Sequence, residues 1–146
     1  MFHLNKIENA RQNVPEPEWL PATASEAITE GEALVLSSGK LTKCGATAKP
    51  AFVAMKALSA TATDRLIPVI RVEENQLYEV PTYADCSAVA LGTKVTLHTD
   101  AASVTATSGG ACEIVDLIGA AASGDPVVVR LVAPDPVAPA PTGDGE

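Results

Sequence analysis

The chain has 146 residues, of which 47% are hydrophobic and only 3% aromatic, and it carries a formal net charge of −8. This length suits one domain with terminal extensions, because domains usually run to about 100–200 residues. The acidic charge and the scattered basic residues argue against a nucleic-acid partner. No segment approaches the roughly 18 apolar residues of a membrane span, so we expect no membrane partner either.

Residues 1–25 are predicted to form an extended N-terminal docking arm. Three prolines, Pro15, Pro17 and Pro21, remove backbone donors and favour extended chain. A solvated tail rarely carries as many apolar residues as this segment does. Those apolar residues are Phe2, Leu4, Ile7, Trp19 and Leu20.

Two interpretations of these apolar residues are open. Trp19 and Leu20 can fold back and close one end of the chain's own barrel, or the arm can dock on another protein and become ordered on contact. Leu4 and Ile7 also fit one face of a helix that reaches Val14, although a helix of that length is marginal in water without a surface beneath it.

The pattern of residues 26–132 predicts a series of short strands separated by turn clusters, which is typical of a small barrel or sandwich. The segments are Ala33–Ser37, Lys40–Lys43, Ala51–Ala57, Leu66–Val72, Leu77–Pro81, Lys94–Thr99, Ser103–Thr107, Cys112–Ile118 and Val127–Val132. The prediction is an all-β fold, a small β-barrel. With few aromatic residues its core is thin, and association between copies is one way to compensate.

Two segments depart from this strand pattern. Asp85 can cap a short helical turn that Gly92 ends in the left-handed region, so we expect a small helix beside the barrel. Residues 133–146 contain four prolines and no basic residue, which predicts a disordered, Pro/Ala-rich C-terminal tail.

No pattern of residues predicts catalysis or ligand binding. The three cysteines lie far apart, so we expect buried thiols rather than a metal or disulfide framework. His3 and His98 are isolated, whereas a zinc site needs three or four convergent ligands. The pairs His98 with Asp100 and Asp85 with Cys86 lack the third member of a triad. We therefore expect no enzyme, no catalytic residue, no metal and no cofactor.

A series of short patterns, in contrast, is similar to a known family. The arm, the entry Glu30-Gly31-Glu32-Ala33-Leu34-Val35, the segment Ala90-Leu91-Gly92-Thr93-Lys94-Val95 and the closing strand from Asp125 to Leu131 resemble the capsid decoration, or cement, proteins of tailed phages. This group includes the lambda-type head decoration proteins and their β-tulip relatives. The likeness covers roughly residues 26–132.

The resemblance implies a β-barrel or β-tulip, usually a homotrimer, on the outer surface of an expanded icosahedral capsid. In such a particle the arm binds the major capsid protein, and the assembly clamps neighbouring capsid subunits against internal pressure. The protein would be made in the host cytoplasm and reside in the virion. Phe2, Leu4, Ile7, Trp19 and Leu20 are then the predicted capsid contacts.

Two other functions are weighed against this one. One is a tail or fibre accessory module, or a barrel that binds a host glycan. Glycan sites usually present exposed aromatic platforms, for which Phe52, Tyr78 and Tyr83 are the candidates. A trimeric β-barrel enzyme would need a site rich in carboxylates for metal and phosphate, and the sequence offers none.

Overall fold

The computed structural model describes residues 1–8, 15–60 and 65–134, and its described part consists of eleven strands without a helix. The strands are β1 His3–Ile7, β2 Glu18–Pro21, β3 Ala33–Ser37, β4 Lys40–Lys43, β5 Phe52–Ala54, β6 Leu66–Arg71, β7 Gln76–Pro81, β8 Lys94–Leu97, β9 Val104–Ser108, β10 Cys112–Leu117 and β11 Pro126–Leu131. The all-β prediction is confirmed, and each of the nine predicted segments overlaps a strand. The tail over residues 135–146 and the far end of the suggested helical face at Val14 lie outside the described residues.

The strands form two antiparallel sheets, in the orders β1-β7-β11-β10-β8-β9 and β2-β6-β5-β3-β4. Each sheet curls back on itself and is joined by a parallel bridge. In one sheet Ala22, just after β2, bridges to Leu41 of β4; in the other Thr82, just after β7, bridges to Val104 of β9. The sheets therefore curve strongly but do not form one closed barrel. No helix in the described part of the chain is long and apolar enough to cross a membrane.

The predicted short helix between Asp85 and Gly92 is wrong. The carboxylate of Asp85 accepts a hydrogen bond from the Ser87 backbone (2.9 Å), which makes a turn instead of a helix cap. The next residue, Cys86, donates its backbone N–H to the Ala121 carbonyl (2.9 Å) and is buried. That long-range contact holds the chain in an irregular path. Gly92 does adopt the expected left-handed conformation, with φ of 88°.

Strands β2–β6 and β7–β11 are two copies of one five-stranded unit. Their orders, β2-β6-β5-β3-β4 and β7-β11-β10-β8-β9, are the same when each strand is matched to the fifth one after it. The pair Pro21 with Leu66 recurs as Pro81 with Pro126, so both partners move by the same 60 residues. We call β2–β6 the first unit and β7–β11 the second unit.

Backbone hydrogen bonds outside the strands repeat in the same way. The bond from Gly31 N–H to the Ala54 carbonyl (2.8 Å) has its counterpart from Gly92 to Ile114 (2.8 Å). The bond from Val72 to Ala51 (2.9 Å) likewise recurs from Val132 to Ala111 (2.9 Å). Because strand orders, bridges and loop contacts correspond at offsets of 60 to 63 residues, the chain is an internal structural duplication, and β1 is the one described strand outside it.

Each unit encloses its own hydrophobic core. The core of the first unit consists of eight residues, Ala22, Ile28, Leu34, Leu41, Phe52, Ala54, Ile67 and Val69. The core of the second unit is larger, because it also takes in Phe2 from the N-terminal segment and Ala33, Cys44, Val53 and Val72 from the first unit. Backbone bonds from Ala33 to Ala101 (2.8 Å) and from Leu97 to Ala46 (3.0 Å) join the two units. The units are thus packed together as one body.

Glu32 is a buried carboxylate at the start of β3, with 1% of its surface exposed. Its Oε2 accepts bonds from the Thr29 N–H (2.8 Å) and hydroxyl (3.2 Å), while Oε1 has no hydrogen-bond partner and lies 4.0 Å from the Lys43 ammonium. Burial raises the pKa of Glu32 above its ordinary value of 4.5, although Thr29 and Lys43 oppose the shift. The folded chain consequently holds this proton at a pH where the unfolded chain has lost it.

Glu32→Gln is therefore expected to flatten the pH dependence of stability. With a raised folded pKa, the contribution of Glu32 is greatest below pH 4.5 and is lost as the pH rises through the folded pKa. Removing the buried charge should raise the free energy of unfolding at pH 7 by up to about 1 kcal/mol. Urea melts between pH 4 and 8 measure this, with the exposed Glu74→Gln as control; parallel curves for all three proteins would contradict it.

Candidate functional site

The five predicted contact residues occupy different places in the fold. Phe2 is buried (3% exposed), with its ring edge-on to Tyr78 at 6.1 Å between centroids. Leu4 and Ile7 are half-buried on β1. Leu20 packs against the core of the first unit, whereas Trp19 is 60% exposed. The structure does not bring them together, and Phe2 is buried in the core.

The exposed Trp19 does not close the end of its own unit, so for this residue the alternative of a self-plugging arm fails. It pairs across the strands with Pro68, next to Leu66, which is 61% exposed. A groove of about 350 Å³ lies here. We call it the Trp19 groove; its lining residues are Trp19, Lys56, Ala57, Leu58, Ser59, Arg65, Leu66, Ile67 and Pro68.

Two exposed cations, Lys56 and Arg65, lie at this groove of an acidic chain. Lys56 and Arg65 are exposed and form no ion pair with any residue in the described ranges. Nearby, in contrast, Arg71 binds Glu18 through two bonds of 2.8 Å and lies over the Phe52 ring at 5.0 Å. The hydrogen bond from Arg71 lowers the pKa of Glu18. Apolar side chains next to two cations that form no ion pair with a described residue suit a protein partner that carries carboxylates.

The backbone edge beside the groove is closed to strand addition. Ala22 donates its N–H inward to the Arg65 carbonyl (2.8 Å) and Thr23 outward to the Leu41 carbonyl (3.0 Å). Since hydrogen-bonding direction alternates along a strand, the outward positions before Thr23 are Pro21, Trp19 and Pro17. Prolines lack the N–H that an added strand would bind, and edge strands use them to block pairing. A partner must therefore contact the groove through side chains.

Strand β1 presents an edge of the opposite kind. It is the outermost strand of its sheet, it pairs with β7 on one side only within the described residues, and it contains no proline. Such an edge can accept a strand from another protein. The sequence predicted Leu4 and Ile7 as contact residues, and the structure places both on this edge strand.

Sequence reasoning missed Lys56, Arg65 and Leu66. Lys56 lies within the mostly apolar segment Ala51–Ala57, which predicts a buried strand, and Leu66 begins another predicted strand. The charges at these positions were a usable signal, but only the folded arrangement brings the three residues beside Trp19.

The two possible catalytic pairs do not form reactive sites. Burial raises the pKa of the Cys86 thiol, and the neighbouring Asp85 adds to this shift, which disfavours the nucleophilic thiolate. Burial also opposes ionisation of Asp100, but hydrogen bonds from the Ala102 N–H and the Ser103 hydroxyl outweigh it and lower the pKa. Among the described residues, no three His, Cys, Asp or Glu side chains are grouped to hold a metal ion.

The three aromatic platform candidates for glycan binding are not equally accessible. Phe52 and Tyr78 are buried, at 1% and 0% exposed, whereas Tyr83 is 58% exposed. Its ring stacks on His98 at 3.5 Å between centroids. A single stacked pair is a smaller feature than the Trp19 groove, which combines apolar area with charge.

The chain matches no protein-family model and no curated protein. It is similar in structure to the N base of head fiber gp8.5 of bacteriophage phi29, with a TM-score of 0.56 and 14% sequence identity. The match covers 84% of this chain and 99% of that chain. At this identity the likeness supports the fold.

Proposed function

We propose that the chain is a structural protein of a tailed-phage virion that binds the outer surface of the capsid and stabilises it by clamping neighbouring capsid subunits. The observation that carries the proposal is the pair of docking features on the surface of the chain. The described residues expose two protein-docking features, the edge of β1 and the Trp19 groove, and the possible catalytic pairs are not activated. The fold shared with a phage head fiber base supports the same assignment.

The edge of β1 is the proposed contact with the major capsid protein. An added strand forms main-chain hydrogen bonds, and the half-buried Leu4 and Ile7 can add apolar contacts at its side. Several copies acting together would strengthen a weak single contact through effective concentration. The same proposal includes the homotrimer implied by the family resemblance.

The test is the amount of this chain per major capsid subunit in purified particles from its source. The proposal expects a fixed ratio near one, with the chain released by mild denaturant while the shell stays closed. Purified chain should then rebind to the stripped particles. A few copies per particle would assign it to a tail or vertex, and complete absence from particles would refute the proposal.

A further inference from the structure

The duplication provides an internal comparison for every residue of the Trp19 groove. Strands β2 and β6 pair in the same register as β7 and β11, so a residue that the fold requires there should recur at the matching position. Core positions do recur as apolar pairs, for example Ile67 with Val127 and Val69 with Val129. A groove residue that does not recur is therefore not demanded by the fold.

The matching surface of the second unit carries the opposite charge. Trp19, paired with Pro68, corresponds to Glu79, which is paired with Val128. The bond from Ala22 to the Arg65 carbonyl (2.8 Å) corresponds to that from Thr82 to the Asp125 carbonyl (3.0 Å). An aromatic residue and a cation in the first unit are thus replaced by two carboxylates in the second.

A third carboxylate belongs to the same surface. Asp116 lies 60 residues after Lys56, beside a bulge in β10. It pairs with Val128 of β11 from one side, and Glu79 of β7 pairs with the same residue from the other side. We call Glu79, Asp116 and Asp125 the acidic face. Each accepts one hydrogen bond, from Asn5 Nδ2 (3.5 Å), the Leu117 N–H (2.9 Å) and the Ala122 N–H (3.2 Å), and none forms an ion pair with a described residue.

We infer that the Trp19 groove of one copy binds the acidic face of a second copy. The groove supplies an exposed indole and two cations that form no ion pair among the described residues, and the acidic face supplies three carboxylates around Val128. Each copy carries both surfaces, so the contact joins the first unit of one copy to the second unit of another. Such contacts close into a dimer or ring when the rotation that relates the copies permits. The closed edge at Pro17 and Pro21 directs this contact through side chains. The inference goes beyond the proposed function by naming the contact between copies.

Charge reversal on the full chain tests this contact. The variant Lys56→Asp/Arg65→Asp makes both surfaces acidic, and Asp116→Lys/Asp125→Lys makes both basic. Sedimentation velocity across a concentration series is expected to show self-association of the natural chain that weakens with salt. Each variant alone should associate at least about tenfold more weakly. An equimolar mixture of the two variants should associate again.

The chain's single tryptophan gives a second readout. Trp19 is exposed in one copy, so its emission should shift to the blue as the natural chain associates and as the two variants are mixed. The control variant Lys40→Asp/Lys49→Asp has the same net charge as the first variant, leaves both surfaces unchanged and should associate like the natural chain. Failure of the mixture to associate, variants that associate normally, or a natural chain that stays monomeric with constant emission would each overturn the inference. In the last case the groove serves a different partner.

Discussion

Phe2→Ala is expected to lower the free energy of unfolding by about 3–5 kcal/mol, the usual cost of truncating a buried aromatic residue. Phe2 is 3% exposed and its ring meets the buried Tyr78 at an interplanar angle of 81°. Its backbone N–H also donates to the Gly31 carbonyl (2.8 Å), which ties the N-terminal segment to the first unit. Truncation would leave a cavity where the N-terminal segment, the second unit and the flank of the first unit meet.

The control for this prediction is Trp19→Ala, which removes the larger ring but from an exposed position. Its effect on the free energy of unfolding should stay within about 0.5 kcal/mol, as for most surface substitutions. Urea denaturation followed by far-ultraviolet circular dichroism measures both, because it does not depend on the removed tryptophan. Equal losses in the two variants would mean that the N-terminal segment is not packed as described.

Gly110→Ala is expected to cost about 3 kcal/mol or more, because the added methyl group has no space. A Cβ at Gly110 would lie 2.1 Å from the Val95 carbonyl oxygen and 2.5 Å from the Thr96 Cα. Both are backbone atoms, so no side chain can rotate away. The turn before β10 would have to move from β8, which disturbs the pairing of Cys112 with Val95.

Gly45→Ala is the matched control for Gly110. No atom lies within 4 Å of a Cβ at Gly45, and its backbone is not in the left-handed region. There the substitution restricts the unfolded chain and should stabilise the protein by about 0.4–1 kcal/mol. Thermal and urea unfolding of the two variants should therefore move in opposite directions. A Gly110→Ala protein as stable as the natural chain would show that β8 lies farther from this turn.

The sequence predicted strands wherever apolar and polar residues alternate between clear turn signals. Strands β3 and β4 were predicted to the residue, and the Ser38-Gly39 turn fixes the end of β3 and the start of β4. Strands β1 and β2 were missed. Their partners are β7 and β6, tens of residues away in the chain, and the register of β1 shifts at Asn5, which breaks the alternation.

The duplication could not be recognised from residue identities in the sequence. Pro21 matches Pro81 and Gly31 matches Gly92, but most equivalent core positions hold different apolar residues, such as Phe52 and Cys112. A core accepts many apolar residues of suitable volume, so two units can keep one register with little identity. Only the pairing of strands and the repeated backbone bonds made the correspondence clear.

The sequence by itself determined the class of the protein, because alternation and turn residues act over a few neighbours: a chain of short strands, acidic, with isolated histidines and cysteines. It also identified the apolar residues of the N-terminal segment. Only the tertiary structure decided which of them are buried, placing Phe2 in the core and Trp19 on the surface. That choice depends on contacts with Tyr78 and Pro68, which the fold brings together from distant parts of the chain. For the same reason, the oppositely charged surfaces of the two units became comparable only once their registers could be superimposed.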